Sequence, residues 1–210
     1  MYTRVIAYGG RWLHGKIVDG LAATGIHPNV LTFIGLLVNG CAAVVFGMAD
    51  PEHPERYFLL GAGIIFLAGI FDLTDGPVAR KQGRVSAFGA FFDSMIDRYS
   101  DMVLYMGLLV YYARIGRFVY VVLAAVAMAG SFMVSYSRAR AESLIPTCKV
   151  GFMERPERVV LLIIGGVFNR MGPALWAIAL FSTVTVIHRI VFTWRETAAG
   201  RILPGVRASR

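Results

Sequence analysis

Five aspartates stand in stretches of chain that are otherwise apolar. Asp72 and Asp75 lie three residues apart in IIFLAGIFDLTDG, and Asp93, Asp97 and Asp101 follow at four-residue steps in FGAFFDSMIDRYSDMVLYMGLLV. Spacings of three and four place side chains on one face of a helix. An ionised Asp at the centre of a membrane span costs about 2.5–3.5 kcal/mol on insertion scales, and five cost on the order of 10 kcal/mol. Something cationic must balance them. The connection KQGRV at 81–85 is short, so the two helices are expected to run antiparallel as neighbours. Reflection about residue 83 sets Asp72 level with residue 94 and Asp75 level with residue 91. Asp72 precedes Arg80 by eight residues, about 12 Å of helix at 1.5 Å per residue. The carboxylates thus meet at one depth, about a third of the way in from the inner surface of the membrane. Asp72, Asp75, Asp93 and Asp97 offer oxygen ligands alone, which suit Mg²⁺, Mn²⁺ or Ca²⁺. Two such ions suit displacement at phosphorus. The competing arrangement is a set of ion pairs with Arg80, Arg84 and Arg98, but the carboxylates outnumber partners at that depth. Gly76, Ala79 and Gly89 beside them leave room for a backbone or a ligand.

The elements that hold these residues read as membrane helices. The 210 residues are 57% hydrophobic and 16% charged, where a soluble domain carries about 25% charged residues. Six spans are expected, near 30–49, 57–80, 86–112, 117–140, 157–170 and 173–194. The fifth is short and must borrow length from its polar flanks. Residues 1–27, with Arg4, Arg11, His14 and Lys16 among apolar neighbours, read as an amphipathic helix on the membrane surface. The expected fold is all-α, a six-transmembrane-helix bundle over 28–196, with a juxtamembrane segment at 1–27 and a cytosolic basic tail at 197–210. With the N-terminus inside, only Arg56, Arg114, Arg117 and Arg170 of the 21 lysines and arginines fall in outer loops, as the positive-inside rule requires. The net charge of +8 therefore sets topology and meets anionic headgroups, and no motif points to nucleic acid. Cys41 and Cys148 are far apart without CxxC spacing, which argues against a disulfide framework or a zinc site. No removable signal peptide is read at the N-terminus.

Taken together, Asp72-x2-Asp75-Gly76-x2-Ala79-Arg80-x8-Gly89-x3-Asp93-x3-Asp97 resembles the motif of the CDP-alcohol phosphotransferase family at every fixed position. The six-span plan is similar to that family as well. The resemblance implies that Asp72, Asp75 and Asp93 are ligands of two Mg²⁺ or Mn²⁺ ions. It makes Asp97 a shared ligand and the catalytic general base. It implies contacts to the CDP-lipid from Gly76, Arg80, Ser86 and the run Asn29, Val30, Leu31 and Thr32. CMP and a phosphodiester lipid would be the products.

Arginines bear on the acceptor. SYSRARAE gives Arg138 and Arg140, GFMERPERV gives Arg155 and Arg158, and VIHRIVFTW gives Arg189. All fall at the inner face, where grouped guanidinium forks suit a phosphate. These segments resemble the phosphatidylinositol-phosphate synthase subgroup. The resemblance implies CDP-diacylglycerol as donor, inositol phosphate as acceptor, and a phosphate site built of Arg138, Arg155 and Arg189. Glu154, Glu157 and Arg158 form an alternative group that pairs and orders the loop. Rival readings are another acceptor such as glycerol phosphate, an archaeal-type CDP-lipid donor, or, in a different class, an intramembrane cation transporter. The family resemblance further implies a homodimer. Both termini and the active site are expected to face the cytosol from the plasma membrane.

Overall fold

The computed structural model describes residues 14–203, which are helical throughout except for short connections. Helix α1 covers 14–23. It is followed by α2 (Pro28–Gly47), α3 (Pro54–Lys81), α4 (Ala87–Arg114), α5 (Phe118–Glu142), α6 (Arg155–Val167) and α7 (Met171–Ala198). The chain is an all-α membrane bundle. Helices α2, α3, α5 and α7 are long and apolar enough to cross a membrane. Helix α4 is also long enough, with 28 residues, but its first half carries the aspartates. Helix α6 corrects the expectation of a fifth full span. Its 13 residues reach about 20 Å, short of a hydrocarbon layer of about 30 Å. Residues 1–13 of the amphipathic segment and 204–210 of the basic tail lie outside the described residues.

Local chemistry sets the helix ends. Pro28 occupies the first turn of α2, where its missing N–H costs nothing, and His27 Nδ1 accepts from Asn29 N. Ser86 caps α4, its Oγ accepting from Gly89 N at 3.0 Å. Gly83 and Gly116, at φ of +66° and +67°, let the chain turn out of α3 and α4. Within α3, Pro77 cannot donate to the carbonyl of Leu73. His14 of α1 takes that carbonyl instead, with Nε2 3.0 Å away. Helix α1 is thereby docked on α3, with Val18 packed against Leu31 and Val78 and Asp19 paired with Lys81. Gln82 Nε2 donates to Ala22 O and Ile26 O, and Arg84 to Gly25 O.

Helix α2 packs on both α3 and α4, α5 lies between α4 and α7, and α6 bridges α3 and α7. The hairpin expectation needs correcting here: α3 and α4 share α2 rather than packing closely on each other, and the space between them is the functional groove. The core fills the opposite end of the bundle, around Phe46, Phe58, Leu104, Leu108, Tyr111, Leu123, Leu162 and Leu175. Phe46, Phe58 and Tyr111 meet edge to face at 5.8 and 5.1 Å, the geometry aromatic quadrupoles favour. Leu37, Phe66, Trp176 and Leu180 are exposed on the outside, as lipid contact demands.

Small residues allow these close approaches. A Cβ on Gly107 would lie 2.7 and 2.8 Å from Ala43 Cα and C, whereas one on Gly63 meets nothing within 4 Å. Gly107→Ala should therefore destabilise the bundle by about 1–3 kcal/mol through overpacking, and Gly63→Ala should not. Thermal unfolding of the two variants in detergent checks this contrast, and equal melting temperatures would contradict the packing described.

Candidate active site

The acidic stripes of α3 and α4 meet at one end of the bundle. Asp72, Asp93 and Asp97 each bring one carboxylate oxygen within 4.8 Å of the others. Such a cluster of oxygen donors fits a hard divalent cation. Asp97 supplies a second sign of fit, since its buried Oδ1 accepts no hydrogen bond. The Nη1 of Arg155 lies 2.9 Å from that oxygen, close enough to attract it but not aligned to donate. The same Nη1 donates to Asp72 Oδ2 at 2.7 Å.

The arginines that balance the acids are therefore not those expected. Arg84 binds Gly25 O, and Arg98 folds back on Ser94, with Nη1 2.6 Å from its Oγ. The counter-charges come from the first turn of α6 instead. Arg155 faces Asp72 and Asp97, and Arg158, buried to 1% exposure, donates from Nη2 to Asp101 Oδ2 at 2.5 Å.

Asp75, an expected ligand, is not in the trio. Its Oδ2 accepts from Thr32 Oγ1 at 2.7 Å and its Oδ1 from Gly76 N at 2.6 Å. It opens instead into a groove of about 220 Å³ between α2, α3 and α4, lined by Asn29, Thr32, Asp75, Gly76, Arg80, Ser86 and Asp93 among others. These include five of the seven residues expected at the CDP-lipid. Val30 and Leu31 do not line it: Val30 is exposed on the outer surface, and Leu31 is buried against Val18 and Val78.

On the other side of the carboxylates lies a cavity of about 680 Å³, lined by Asp97, Asp101, Arg138, Glu154, Arg155 and Arg189 among others. All three arginines expected at an acceptor phosphate thus border one space. They are not free forks, however. Glu154 Oε1 accepts from Arg138 Nη1 at 3.1 Å and from Arg189 Nη2 at 3.0 Å. Arg138 Nε also donates to Glu142 Oε1 at 3.2 Å. Arg189, at 1% exposure, reaches Val150 O at 2.9 Å with Nε and Val134 O with Nη1. It is as much a brace for the loop as a ligand. The expected loop-ordering group does not pair within itself: Glu154 meets Arg138 and Arg189 instead. Glu157 is exposed, and Arg158 turns to Asp101 rather than to either glutamate. Sequence reasoning assigned no role to Asp101 or Glu142. The i, i+4 steps from Asp97 and from Arg138 are the signals that could have found them.

A membrane bundle with a carboxylate centre between two polar cavities fits a membrane enzyme that acts on a charged substrate. The chain belongs to the CDP-alcohol phosphatidyltransferase family, whose profile matches residues 25–197. It is 38% identical over 177 residues to the archaetidylinositol phosphate synthase of Pyrococcus horikoshii, covering 83% of this chain and 87% of that one. It is 34% identical over 192 residues to the phosphatidylinositol phosphate synthase of Streptomyces avermitilis, covering 85% and 76%. The phosphatidylinositol phosphate synthase of Mycobacterium tuberculosis has been solved with CDP-DAG bound. That structure superposes with a TM-score of 0.76 at 28% identity, covering 86% of this chain and 93% of that one. The same enzyme in complex with manganese and citrate superposes equally well, at 0.76 and 29% identity, over 86% and 88%. The chain is thus a multi-pass membrane transferase of phospholipid synthesis that uses a divalent metal, and the cation-transporter reading falls.

Thr32 and Asp93 give a direct test of the centre. Asp93→Asn removes a ligand charge and should weaken Mn²⁺ binding at least tenfold. Thr32→Val removes the hydrogen bond to Asp75, and a loss of about 10-fold is expected if Asp75 joins the trio as a ligand when the metal binds, whereas an unchanged affinity leaves Asp75 outside the metal centre. Electron paramagnetic resonance titration of Mn²⁺ into the purified protein reads both, and an unchanged affinity in Asp93→Asn would exclude it as a ligand.

Proposed function

We propose that the enzyme transfers the phosphatidyl group of CDP-diacylglycerol to a hydroxyl of inositol phosphate and releases CMP. One observation carries this reading. The carboxylate centre is a shared wall between two cavities, with Asp93 lining the groove that holds the family's nucleotide residues and Asp97 lining the arginine-rich cavity. Donor and acceptor then approach the same centre from different sides. The names of the Pyrococcus and Streptomyces relatives agree on inositol phosphate and differ in the lipid. That agreement supports the acceptor, and the mycobacterial structure with CDP-DAG supports a diacylglycerol donor over an archaeal-type lipid.

Asn29, Thr32, Gly76, Arg80 and Ser86 would contact the cytidine diphosphate. Asp72, Asp75, Asp93 and Asp97 would hold two Mg²⁺ or Mn²⁺ ions, which when bound neutralise the diphosphate and the departing CMP. Asp97 takes the proton of the acceptor hydroxyl. The hydroxyl oxygen attacks the phosphorus that carries the lipid, and the bond from that phosphorus to the CMP oxygen breaks. Arg138, Arg155 and Arg189 hold the acceptor phosphate, which takes over the charge that Glu154 now presents to two of them. Alignment of the two substrates supplies much of the rate.

We place the catalytic unit at 28–196, flanked by a juxtamembrane segment and a basic tail. The charge distribution supports cytosolic termini and a cytosolic active site in the plasma membrane. The family resemblance supports a homodimer, formed through the apolar faces of α4 and α5.

CMP release from CDP-diacylglycerol and Mg²⁺, with inositol phosphate or glycerol phosphate as acceptor, decides the assignment. Inositol phosphate should be the better acceptor by kcat/KM. Asp97→Asn should lower kcat by about 10²–10⁴, the worth of a general base, and near-normal turnover would remove that role. Arg138→Gln, at a partly exposed position, should raise KM for the acceptor and leave KM for the donor unchanged. A shift in both would mean that the arginine serves the fold.

A further inference from the structure

Asp101 is buried to 7% exposure and stands one turn beyond Asp97, outside the family motif. Its two carboxylate oxygens face different arginines of the same helical turn. Oδ2 receives Arg158 Nη2 at 2.5 Å, and Oδ1 lies 3.6 Å from Arg155 Nε. Arg158 also donates from Nη1 to Met153 O at 3.2 Å, and Met153 N donates to Thr185 Oγ1 at 3.2 Å. One carboxylate on α4 thus ties down the start of α6 and, through Arg158, the last residues of the connection before it. Arg155 is held by this grip at one end of its guanidinium. Its other end meets Asp72 and Asp97. The buried Nε of Arg155 and Nε of Arg158 make no hydrogen bonds, so charge attraction to Asp101 is what fixes the near end of Arg155.

We propose that Asp101 is a positioning residue for the acceptor: by holding Arg155 and Arg158 together it aims Arg155 across the carboxylate centre at the acceptor phosphate. This rests on the reading that the arginine-rich cavity takes a phosphorylated acceptor. Asp101 borders the acceptor cavity, but its two carboxylate oxygens face the arginines and act on the acceptor through them. Without its charge, Arg155 retains its pull toward Asp72 and Asp97 but loses the restraint at Nε, so the fork no longer has one orientation. A phosphate bound by a fork loses affinity when the fork must be ordered first.

The test compares wild type, Asp101→Asn, Asp101→Glu and the double variant Asp101→Leu/Arg158→Met, all purified in detergent with Mg²⁺. The double variant removes the buried charge pair together, so no lone buried cation is left at Arg158. Asp101→Asn should raise KM for inositol phosphate by about tenfold, the value of one charge-assisted hydrogen bond, with KM for CDP-diacylglycerol within twofold. Asp101→Glu should recover part of the loss. The double variant should regain the melting temperature of wild type and keep the raised acceptor KM. Lower stability with an unchanged acceptor KM overturns the proposal, as does recovery of acceptor KM in the double variant. If wild type uses glycerol phosphate and not inositol phosphate, the acceptor assignment fails. The same comparison on glycerol phosphate then still decides the role of Asp101.

Discussion

The structure depends on compensating clustered carboxylate charge in an apolar bundle. Asp72, Asp97 and Asp101 meet two guanidiniums, those of Arg155 and Arg158, and Asp93 stands beside Asp72 and Asp97. The acids outnumber the guanidiniums, an excess of negative charge that divalent cations neutralise. Desolvation makes each unpaired charge expensive, so the ion pairs cannot be incidental surface contacts. They determine where α6 begins, since both arginines sit in its first turn, and they hold α6 against α4 across the cavity.

Bringing those arginines to the centre has a structural cost. Residues 143–154 form an irregular connection at the end of α5, and its buried backbone groups are costly to leave unsatisfied. Side chains from three helices satisfy it. Glu142 Oε1 accepts from Cys148 N, Thr185 Oγ1 from Met153 N, Arg189 donates to Val150 O and Arg158 to Met153 O. Three of these four bracing residues, Glu142, Arg158 and Arg189, also line the cavity. Holding the loop and lining the cavity thus draw on the same side chains.

The helices and the acidic stripes were legible in the sequence because both follow a local period. Spacings of three and four fix Asp72 with Asp75, and Asp93 with Asp97, before any tertiary contact is known. What could not be read is whatever depends on the distance between helices. Asp75 points to Thr32 because α2 packs against α3. Arg155, rather than Arg80 or Arg84, meets these acids because the chain returns to α4's aspartates at the start of α6. The run 29–32 shows the limit of carrying a motif over as a block. Successive helical residues turn by about 100°, so four in a row cannot face one groove. Asn29 and Thr32, one turn apart, line it, while Leu31 enters the core and Val30 faces outward.

The separation of the two cavities bears on the chemistry itself. Displacement at phosphorus places the attacking and leaving oxygens roughly in line, so nucleophile and leaving group need opposite approaches to one atom. A single open cleft would not enforce this. Here Asp93 lines one cavity and Asp97, one helical turn on, lines the other, and α4 carries both on a rigid backbone. On the proposed use of the cavities, the four-residue step between Asp93 and Asp97 sets the offset between the two approaches to the phosphorus.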